Sequence, residues 1–262
     1  MTKGSASLTL SVDAPQVRRA MARSALYRFF SVACAYPTAG RFRTLRDEAL
    51  PAARAAASIS GRRIAPRLEA LFPHLEDITL EELQSQYHRA VGHLPLPDCP
   101  PYESGYLGDA PFREENVLAD VAGFYRAFGL LIGSEERERP DHVTVELEFM
   151  HVLALKEAVA RVHHGPAEVG ICRSAQRRFW RDHLGRWLPS FGLLLAERAP
   201  EGFYKDVAGN LKEFAEVEGR ALGKAEVALK PRTQQPLPFE ELDCSISDGA
   251  CPLEGAGDHA GY

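Results

Sequence analysis

The stretch 134–166, SEERERPDHVTVELEFMHVLALKEAVARVHHGP, contains the clearest helix signal in the chain. Its apolar residues recur at three- and four-residue spacing, as on the buried face of a helix: Val143, Leu147, Met150, Leu153 and Ala154. Phe149 and Val152 widen this face, which is typical of a central helix covered on more than one side. Asp141 is a predicted N-cap, and Gly165-Pro166 is a firm stop. The stretch therefore predicts one long, buried α-helix.

Helical periodicity continues on both sides of this stretch. The other predicted helices lie at about 13–34, 42–58, 65–72, 79–91, 114–128, 172–187, 190–197 and 201–229. Asp13 is a predicted N-cap of the first, and Thr79 with Glu82 forms a capping-box pattern in the fourth. No alternation of apolar and polar residues is long enough to indicate a strand. We therefore expect an all-α protein with a single globular domain of about eight helices.

Composition and charge divide the chain into three parts. The hydrophobic fraction of 45% and the charged fraction of 26% are typical of a soluble globular protein. The first 230 residues carry 30 basic and 30 acidic residues, a balance that argues against nucleic-acid binding. From Pro231 onward, six acidic residues accompany Arg232 alone, which predicts an acidic, largely disordered tail over 231–262. Residues 1–12 are the predicted disordered N-terminus, and 13–230 form the helical domain.

One segment in the middle of the chain cannot be helical. Residues 93–111, which include CPPYESGY at 99–106, contain five prolines and two glycines. Loops of this length inside a compact domain are usually functional or disordered. Because this one is rich in Tyr, Leu and Pro rather than in Ser and Lys, we predict a long ordered loop.

Cysteine usage and the N-terminal segment bear on the cellular compartment. Five scattered cysteines favour a reducing compartment over a disulfide framework, and Cys244 and Cys251 match no common zinc spacing. Residues 1–35, with Arg18-Arg19 before an apolar stretch, are an alternative twin-arginine export signal. Arg23 and Arg28 interrupt that apolar stretch, so the interpretation as a core helix of a cytoplasmic protein is favoured. No run of 18 apolar residues indicates a membrane span.

Polar residues on the long helix raise the alternative of a helical metalloenzyme. Glu148 and His151 form one Glu-x-x-His unit, whereas di-iron bundles use two. His142 and Glu146, four residues apart, could share one helix face and complete the candidate ligand set. Cys99 with His142 is the minimum for a thiol nucleophile, but nothing in the sequence brings the two together. Asp141 and His142 also stand at a helix N-terminus, which can bind a polar ligand or a peptide backbone.

Several motifs, taken in order, resemble the TorD/DmsD/NarJ family of molybdoenzyme maturation chaperones. They are ALYRFFSVACAYP at 25–37, LQSQYHRAVG at 83–92, CPPYESGYLG at 99–108, FYRAFGL at 124–130 and ERPDHVTVELEFMHVL at 138–153. The resemblance covers roughly residues 15–220. Ala90-Val91 stand where the family has Leu-Phe. The intact CPPYES motif at 99–104 is most similar to that of chaperones of the type II dimethyl sulfoxide reductase group.

The resemblance implies an all-helical cytoplasmic chaperone with no catalysis of its own. Such proteins bind the twin-arginine leader, or the body, of an apo-molybdoenzyme catalytic subunit. They assist insertion of the molybdopterin guanine dinucleotide cofactor and delay export. The resemblance implies no resident cofactor, beyond a weak contact with a guanine nucleotide or molybdopterin guanine dinucleotide. The charge balance and the lack of a long apolar run predict no nucleic-acid partner and no stable membrane insertion. The oligomeric state is open between a monomer and a helix-swapped dimer, because long loops can permit exchange of helices between subunits.

The family's proposed signal-peptide groove can be carried over onto nine residues: Tyr87, Pro100, Pro101, Tyr102, Glu103, Ser104, Tyr106, Asp141 and His142. Arginine side chains favour planar carboxylate partners, which Glu103 and Asp141 could provide. Tyrosines and prolines form a rigid wall for an apolar peptide. We therefore expect Tyr102, Glu103, Asp141 and His142 to form one peptide-binding patch.

Overall fold

The computed structural model describes residues 10–60, 64–92, 99–107, 113–131, 138–223, 225 and 229–231. Within these residues, eleven α-helices form eight continuous or nearly continuous stretches: α1 Pro15–Ala33; α2 Ala39–Thr44 with α3 Leu50–Ser60; α4 Ile64–Glu69 with α5 Leu71–Glu76; α6 Leu80–Val91; α7 Arg113–Ala127; α8 Val143–His163; α9 Pro166–Phe179 with α10 Gly185–Arg198; and α11 Phe203–Leu222. The prediction of an all-α fold with about eight helices is confirmed. The predicted tail lies outside the described residues except for Pro231, as do residues 1–9 of the predicted N-terminus.

Helix ends follow local sequence signals in some places and depart from them in others. Thr79 and Glu82 form the predicted capping box of α6, and Gly92 ends that helix with a φ of 94°, a value that favours glycine. The N-cap of α8 is His142, so the prediction of Asp141 is wrong. The N-cap of α1 is Ala14 rather than Asp13, because Pro15 fixes the first helical turn without a side-chain cap.

Two helices continue through prolines that the sequence patterns treat as interruptions or breaks. π-helical turns at Leu45–Ala49 and Trp180–Leu184 join α2 to α3 and α9 to α10. The first ends two residues before Pro51, and the second ends five residues before Pro189. Proline lacks an N–H group and its ring crowds the carbonyl four residues earlier, which for Pro51 is the carbonyl of Asp47 inside the first π turn. Prolines and π turns within a helix both bend it while the chain continues. The predicted separate helices at 172–187 and 190–197 are therefore parts of one continuous stretch.

The core is centred on α8. Helix α1 packs most extensively against α8, and α10 packs against α11. Tyr27 and Phe30 of α1 reach Phe214 of α11, with ring centroids 4.8 and 4.9 Å apart. The three- and four-residue spacing of apolar residues in α1 predicts Met21 on its buried face, but Met21 is 46% exposed, so that prediction is wrong. In the described part of the chain, no helix combines the length and apolar character needed to cross a membrane.

A buried polar network ties α1, α8, α9 and α11 together. The guanidinium of Arg23 donates to both carboxylate oxygens of Glu218, with a shortest distance of 2.6 Å, and Tyr27 Oη–H donates to the same carboxylate at 2.6 Å. Arg23 Nη1 also donates to Gln176 Oε1 at 2.7 Å, and Gln176 Nε2 donates to Glu157 at 2.9 Å. Because a buried charge is costly without partners, this network fixes the relative positions of the four helices.

Candidate functional site

The Pro/Tyr-rich loop is hydrogen-bonded to the start of α8. The backbone N–H of Glu103 donates to Asp141 O at 2.9 Å, and the N–H of Val143 donates to Pro101 O at 2.8 Å. Between these bonds, Tyr102 and His142 form an isolated antiparallel bridge, the sole β-type pairing in the described ranges. Residues about 40 apart in the sequence, in the loop and in the Asp-His pair, are therefore direct neighbours.

Glycine at position 105 is required for the shape of this loop. A short 3₁₀ turn covers Glu103–Tyr106, and Pro100 packs against its backbone at Gly105. A Cβ atom added to Gly105 would lie 2.6 Å from Pro100 Cβ, closer than such atoms approach in proteins. The loop therefore folds back on its own proline, and its description as ordered holds for Cys99–Leu107.

Asp141 organises the loop from inside. Its side chain is fully buried, and its carboxylate accepts from Ser104 N–H at 3.1 Å and from Arg139 Nε at 3.0 Å. Arg139 also donates to Ser104 Oγ at 3.1 Å and to Glu114 Oε1 at 2.6 Å. The same guanidinium lies 5.1 Å from the centre of the Tyr102 ring. Arg139, which the sequence reasoning missed, is therefore the link between the buried carboxylate and the surface.

His142 is a buried helix cap. Its Nδ1 accepts from Thr144 N–H at 3.3 Å and lies 2.7 Å from Thr144 Oγ1, which places the ring proton on Nε2. Burial lowers the pKa of His142 to about 4, and the charge of Arg41 contributes. The Tyr102 ring meets the imidazole edge-on, with centroids 5.0 Å apart. His142 is therefore neutral at neutral pH and supports Tyr102 through packing.

Glu103 points the other way, into the protein. Its Oε2 lies 3.0 Å from His183 Nδ1, and His183 Nε2 lies 3.2 Å from Asp120 at the surface. On its inner side Glu103 lies near Glu146, whose Oε2 accepts from Trp187 Nε1 at 3.1 Å. A hydrogen-bonded chain therefore runs from the core to the surface through the loop.

The charge of Glu103 acts on the buried carboxyl group of Glu146. Burial, together with the charge of Glu103, raises the pKa of Glu146 well above its usual range. The raised pKa favours the protonated form of Glu146, which has an O–H group that can donate a hydrogen bond. The position of Glu146 in the sequence carries a signal for this arrangement. It falls among the apolar residues Val143, Leu147 and Met150, where a solvated glutamate is not expected.

Tyr87 lies at the edge of this region and is almost completely buried. Its ring packs edge-on against Tyr36 and Tyr204, with centroids 5.5 and 5.7 Å apart, and burial raises its pKa. Tyr36 is partly exposed and also contacts the ring of His88 at 5.3 Å. Aromatic rings from the end of α6 and the segment after α1 therefore lie side by side.

Most of the nine predicted site residues come together, but their exposure differs from the expectation. Of the nine, only Pro100 and Tyr102 are partly exposed. Glu103 and Asp141 are fully buried and paired inside the protein, so the expectation that these carboxylates face an incoming arginine is not met in this structure. The partly exposed carboxylates nearby are Glu138 and Glu114, with exposed side-chain fractions of 35% and 46%. Peptide binding by the nine residues stays a prediction.

The candidate metal ligands do not form a cluster. Besides His142 and Glu146, the set included Glu148, which is exposed, and His151, whose Nδ1 lies 2.8 Å from Ser24 Oγ. Among the residues described, no group of three or more His, Cys, Asp or Glu side chains could hold a metal ion. Cys99 is buried with its Sγ 3.9 Å from Phe191 O. The arrangement thus provides packing and hydrogen bonds around a partly exposed tyrosine.

Comparison with known proteins finds relatives that are named as chaperones. The perchlorate reductase assembly chaperone of Dechloromonas aromatica is 28% identical in an alignment 185 residues long, and the alignment covers 66% of this chain and 78% of that protein. The chlorate reductase assembly chaperone of Ideonella dechloratans is 35% identical over 42% of this chain and 54% of its own length. The chaperone TorD of Photobacterium profundum is 30% identical over 50% and 56%. The chain thus spans little more than half of the last two relatives.

A family model described as the nitrate reductase delta subunit matches residues 56–192. That range is just over half of the chain, and it contains the loop, the Asp-His pair and His183. The motifs that resemble TorD, DmsD and NarJ lie mostly in the same range, and the resemblance is confirmed. The chain therefore belongs to the nitrate reductase delta subunit family, the NarJ/TorD family of maturation chaperones.

Proposed function

We propose that this protein is a cytoplasmic, system-specific assembly chaperone for a molybdopterin-containing oxidoreductase. It binds the apo form of the catalytic subunit, its twin-arginine leader, or both, assists cofactor insertion and delays export. The relatives named as perchlorate and chlorate reductase assembly chaperones support a partner of that enzyme class. The observation that carries the proposal is the pairing of the Pro/Tyr-rich loop with the start of α8, within the range that the family model matches.

The part of the site that a leader can reach is the surface around Tyr102. Tyr102 is partly exposed, and its ring is held by His142 on one side and by the Arg139 guanidinium on another. Such a ring loses little conformational entropy on binding and suits the apolar part of a leader. Glu138 is the carboxylate we assign to a leader arginine, because it is partly exposed and lies 3.9 Å from His142. In this proposal Glu138 takes the role of carboxylate partner that the sequence analysis gave to Glu103 and Asp141.

Capture from the native cell tests the proposed partner. The tagged protein should co-purify with one molybdoenzyme catalytic subunit that still carries its leader, identified by mass spectrometry. Calorimetry with that subunit's synthetic leader peptide, and separately with the leaderless subunit, then shows which part is bound. Recovery of no oxidoreductase subunit under conditions that preserve complexes would contradict the proposal.

Substitutions around Tyr102 test the binding surface. Tyr102→Ala and Glu138→Gln should each weaken leader binding at least fivefold, about 1 kcal/mol, because each removes a partly exposed contact. Glu148→Gln is the matched control, since Glu148 is an exposed carboxylate on α8 outside the loop contacts. If both test variants bind the leader with affinities within twofold of wild type, the assignment of the binding surface is contradicted. The chaperone proposal would not be affected.

A further inference from the structure

A second cleft lies on different elements from the loop. It has a volume of about 270 Å³ and forms where α1, α8, α9 and α11 meet. Seven of its lining residues are charged or polar: Gln16, Arg19, Arg23, Glu157, Arg161, Arg173 and Gln176. Ala20, Ala221 and Leu222 supply apolar walls. Four guanidinium groups therefore converge on one small cleft.

The acidic groups at this cleft are already neutralised from within. Glu157 is buried and accepts from Arg161 Nε and Nη2 at 3.0 and 2.7 Å, and from Gln176 at 2.9 Å. Glu218, just behind the cleft, is occupied by Arg23 and Tyr27. Since each carboxylate is matched by one guanidinium, neither is available to the remaining arginines.

Arg19 and Arg173 account for the excess charge. They stand on α1 and α9, both are exposed, and both line the cleft. Within the described ranges, neither has a hydrogen-bonding or ion-pair partner. Four arginines against two glutamates leave an excess of two positive charges at the cleft. The polar groups beneath are fixed, because Gln176 is fully buried and hydrogen-bonded on both sides.

We propose that this cleft is a binding site for a compact dianionic oxyanion of the phosphoryl class, either free phosphate or a phosphate monoester. A dianion matches the excess of two charges, and guanidinium groups bind phosphoryl oxygens through paired, charge-assisted hydrogen bonds. The buried network supplies a rigid base, so binding requires ordering of only Arg19 and Arg173. The site goes beyond the proposed chaperone function and involves none of the residues around Tyr102.

Titration with small anions tests the site directly. Phosphate, glycerol 3-phosphate and succinate are added in turn to the full-length protein at constant ionic strength in chloride. Binding is followed by calorimetry and by the shift in Tm. Phosphate or its ester should raise Tm and bind at least tenfold more tightly than succinate. If phosphate binds more tightly than glycerol 3-phosphate, the ligand is the free ion; if glycerol 3-phosphate binds more tightly, the ligand is a phosphate monoester.

Substitution of the two exposed arginines localises the binding. Arg19→Gln with Arg173→Gln should reduce phosphate affinity at least tenfold, and because both side chains are exposed the variant should keep its helical circular dichroism. Arg126→Gln, at an exposed arginine of α7, is the control and should bind as wild type does. Absence of binding by phosphate and its ester, equal binding of succinate, or full affinity in the double variant would each overturn the proposal. Leader binding by the double variant should be unchanged, which separates this test from that of the proposed function.

Discussion

His142 and Asp141 are adjacent in the sequence but have different electrostatic roles. Asp141 is a buried carboxylate paired with Arg139, which orders the loop through Ser104. His142 is buried without a close carboxylate partner, since its nearest one, Glu138, lies 3.9 Å away. Desolvation therefore dominates, and it favours the neutral imidazole.

The burial of His142 predicts a loss of stability in acid. The pKa is about 4 in the folded protein and near 6.5 in the unfolded chain, so the unfolded chain binds a proton first as the pH falls. Stability is therefore lost between about pH 6.5 and pH 4, by about 3 kcal/mol in all. His142→Asn keeps an N-cap acceptor and cannot titrate. In urea unfolding at pH 7 and pH 4.5, the gap in unfolding free energy between variant and wild type should shift by about 2 kcal/mol in favour of the variant.

A parallel pH response in the two proteins would contradict this prediction. The comparison isolates His142, because Glu146 and the other titrating groups are common to both proteins. A constant gap would mean that the folded protein protonates His142 near its ordinary pKa.

Contact between the loop and the Asp-His pair follows from the sequence resemblance, whereas the burial of the individual carboxylates does not. The sequence around Glu103 does not indicate that its neighbours in the fold, His183 and Glu146, lie 80 and 43 residues further along the chain. The packing of the helices determines which distant side chain a carboxylate meets and whether the pair is buried. The position of Glu146 on the apolar face of α8 is a sequence signal for a buried carboxyl group.

At the scale of elements, the two π turns determine how the long helices bend. Gly185 follows the turn at Trp180–Leu184, and its N–H donates to Trp180 O, five residues earlier. That turn also orients His183 toward Glu103, so the bend lies next to the hydrogen-bonded chain that reaches the loop. π turns are frequent at functional positions, and this one is part of the support of the site.

Two glycines in the same continuous stretch should respond in opposite ways to alanine. In Gly185→Ala the new Cβ would lie 2.5 Å from Trp180 O and 2.7 Å from the indole, so we expect a loss of about 1–3 kcal/mol. In Gly170→Ala the Cβ meets nothing within 4 Å, so the better helix propensity should add about 0.5–1 kcal/mol. Urea unfolding at pH 7 measures both. Equal effects of the two substitutions would show that Trp180 moves without cost.

Local signals predicted some elements well. The capping box of α6 and the glycine-proline stop after α8 involve neighbouring residues, and both predictions agree with the structure to within two residues. The π turns depend on i→i+5 bonds that no local pattern specifies. The prediction that α11 extends to Leu229 is wrong, since Gly223, with a φ of 105°, ends the helix.

At the scale of the whole molecule, the network around Arg23 and Glu218 joins helices from both ends of the described fold. Glu218 lies on α11, and Arg23 and Tyr27 lie on α1, nearly 200 residues earlier. Gln176 and Glu157 extend the network to α9 and α8. Periodicity predicted each of these helices separately, but it carried no information on which polar residues would meet in the interior.

Removal of Glu218 should destabilise the protein strongly. Glu218→Ala leaves the buried guanidinium of Arg23 without its main partner, and we expect a loss of about 3 kcal/mol in urea unfolding. The double variant Arg23→Met, Glu218→Leu removes both charges and should be more stable than the single variant. Glu216→Ala, at an exposed position on α11, should change the unfolding free energy by less than about 0.5 kcal/mol. A single variant as stable as this control would show that water or Glu157 compensates for the loss.

The packing of α1 on α8 has a consequence for protein synthesis. About 130 residues separate the end of α1 from the end of α8, the helix that covers it. At about 5–20 residues per second, a ribosome needs roughly 6 to 26 s to make them. During that interval the face of α1 that packs on α8 lacks its native cover. The first helix is therefore made well before its most extensive packing partner, and its apolar face is exposed to other contacts in the meantime.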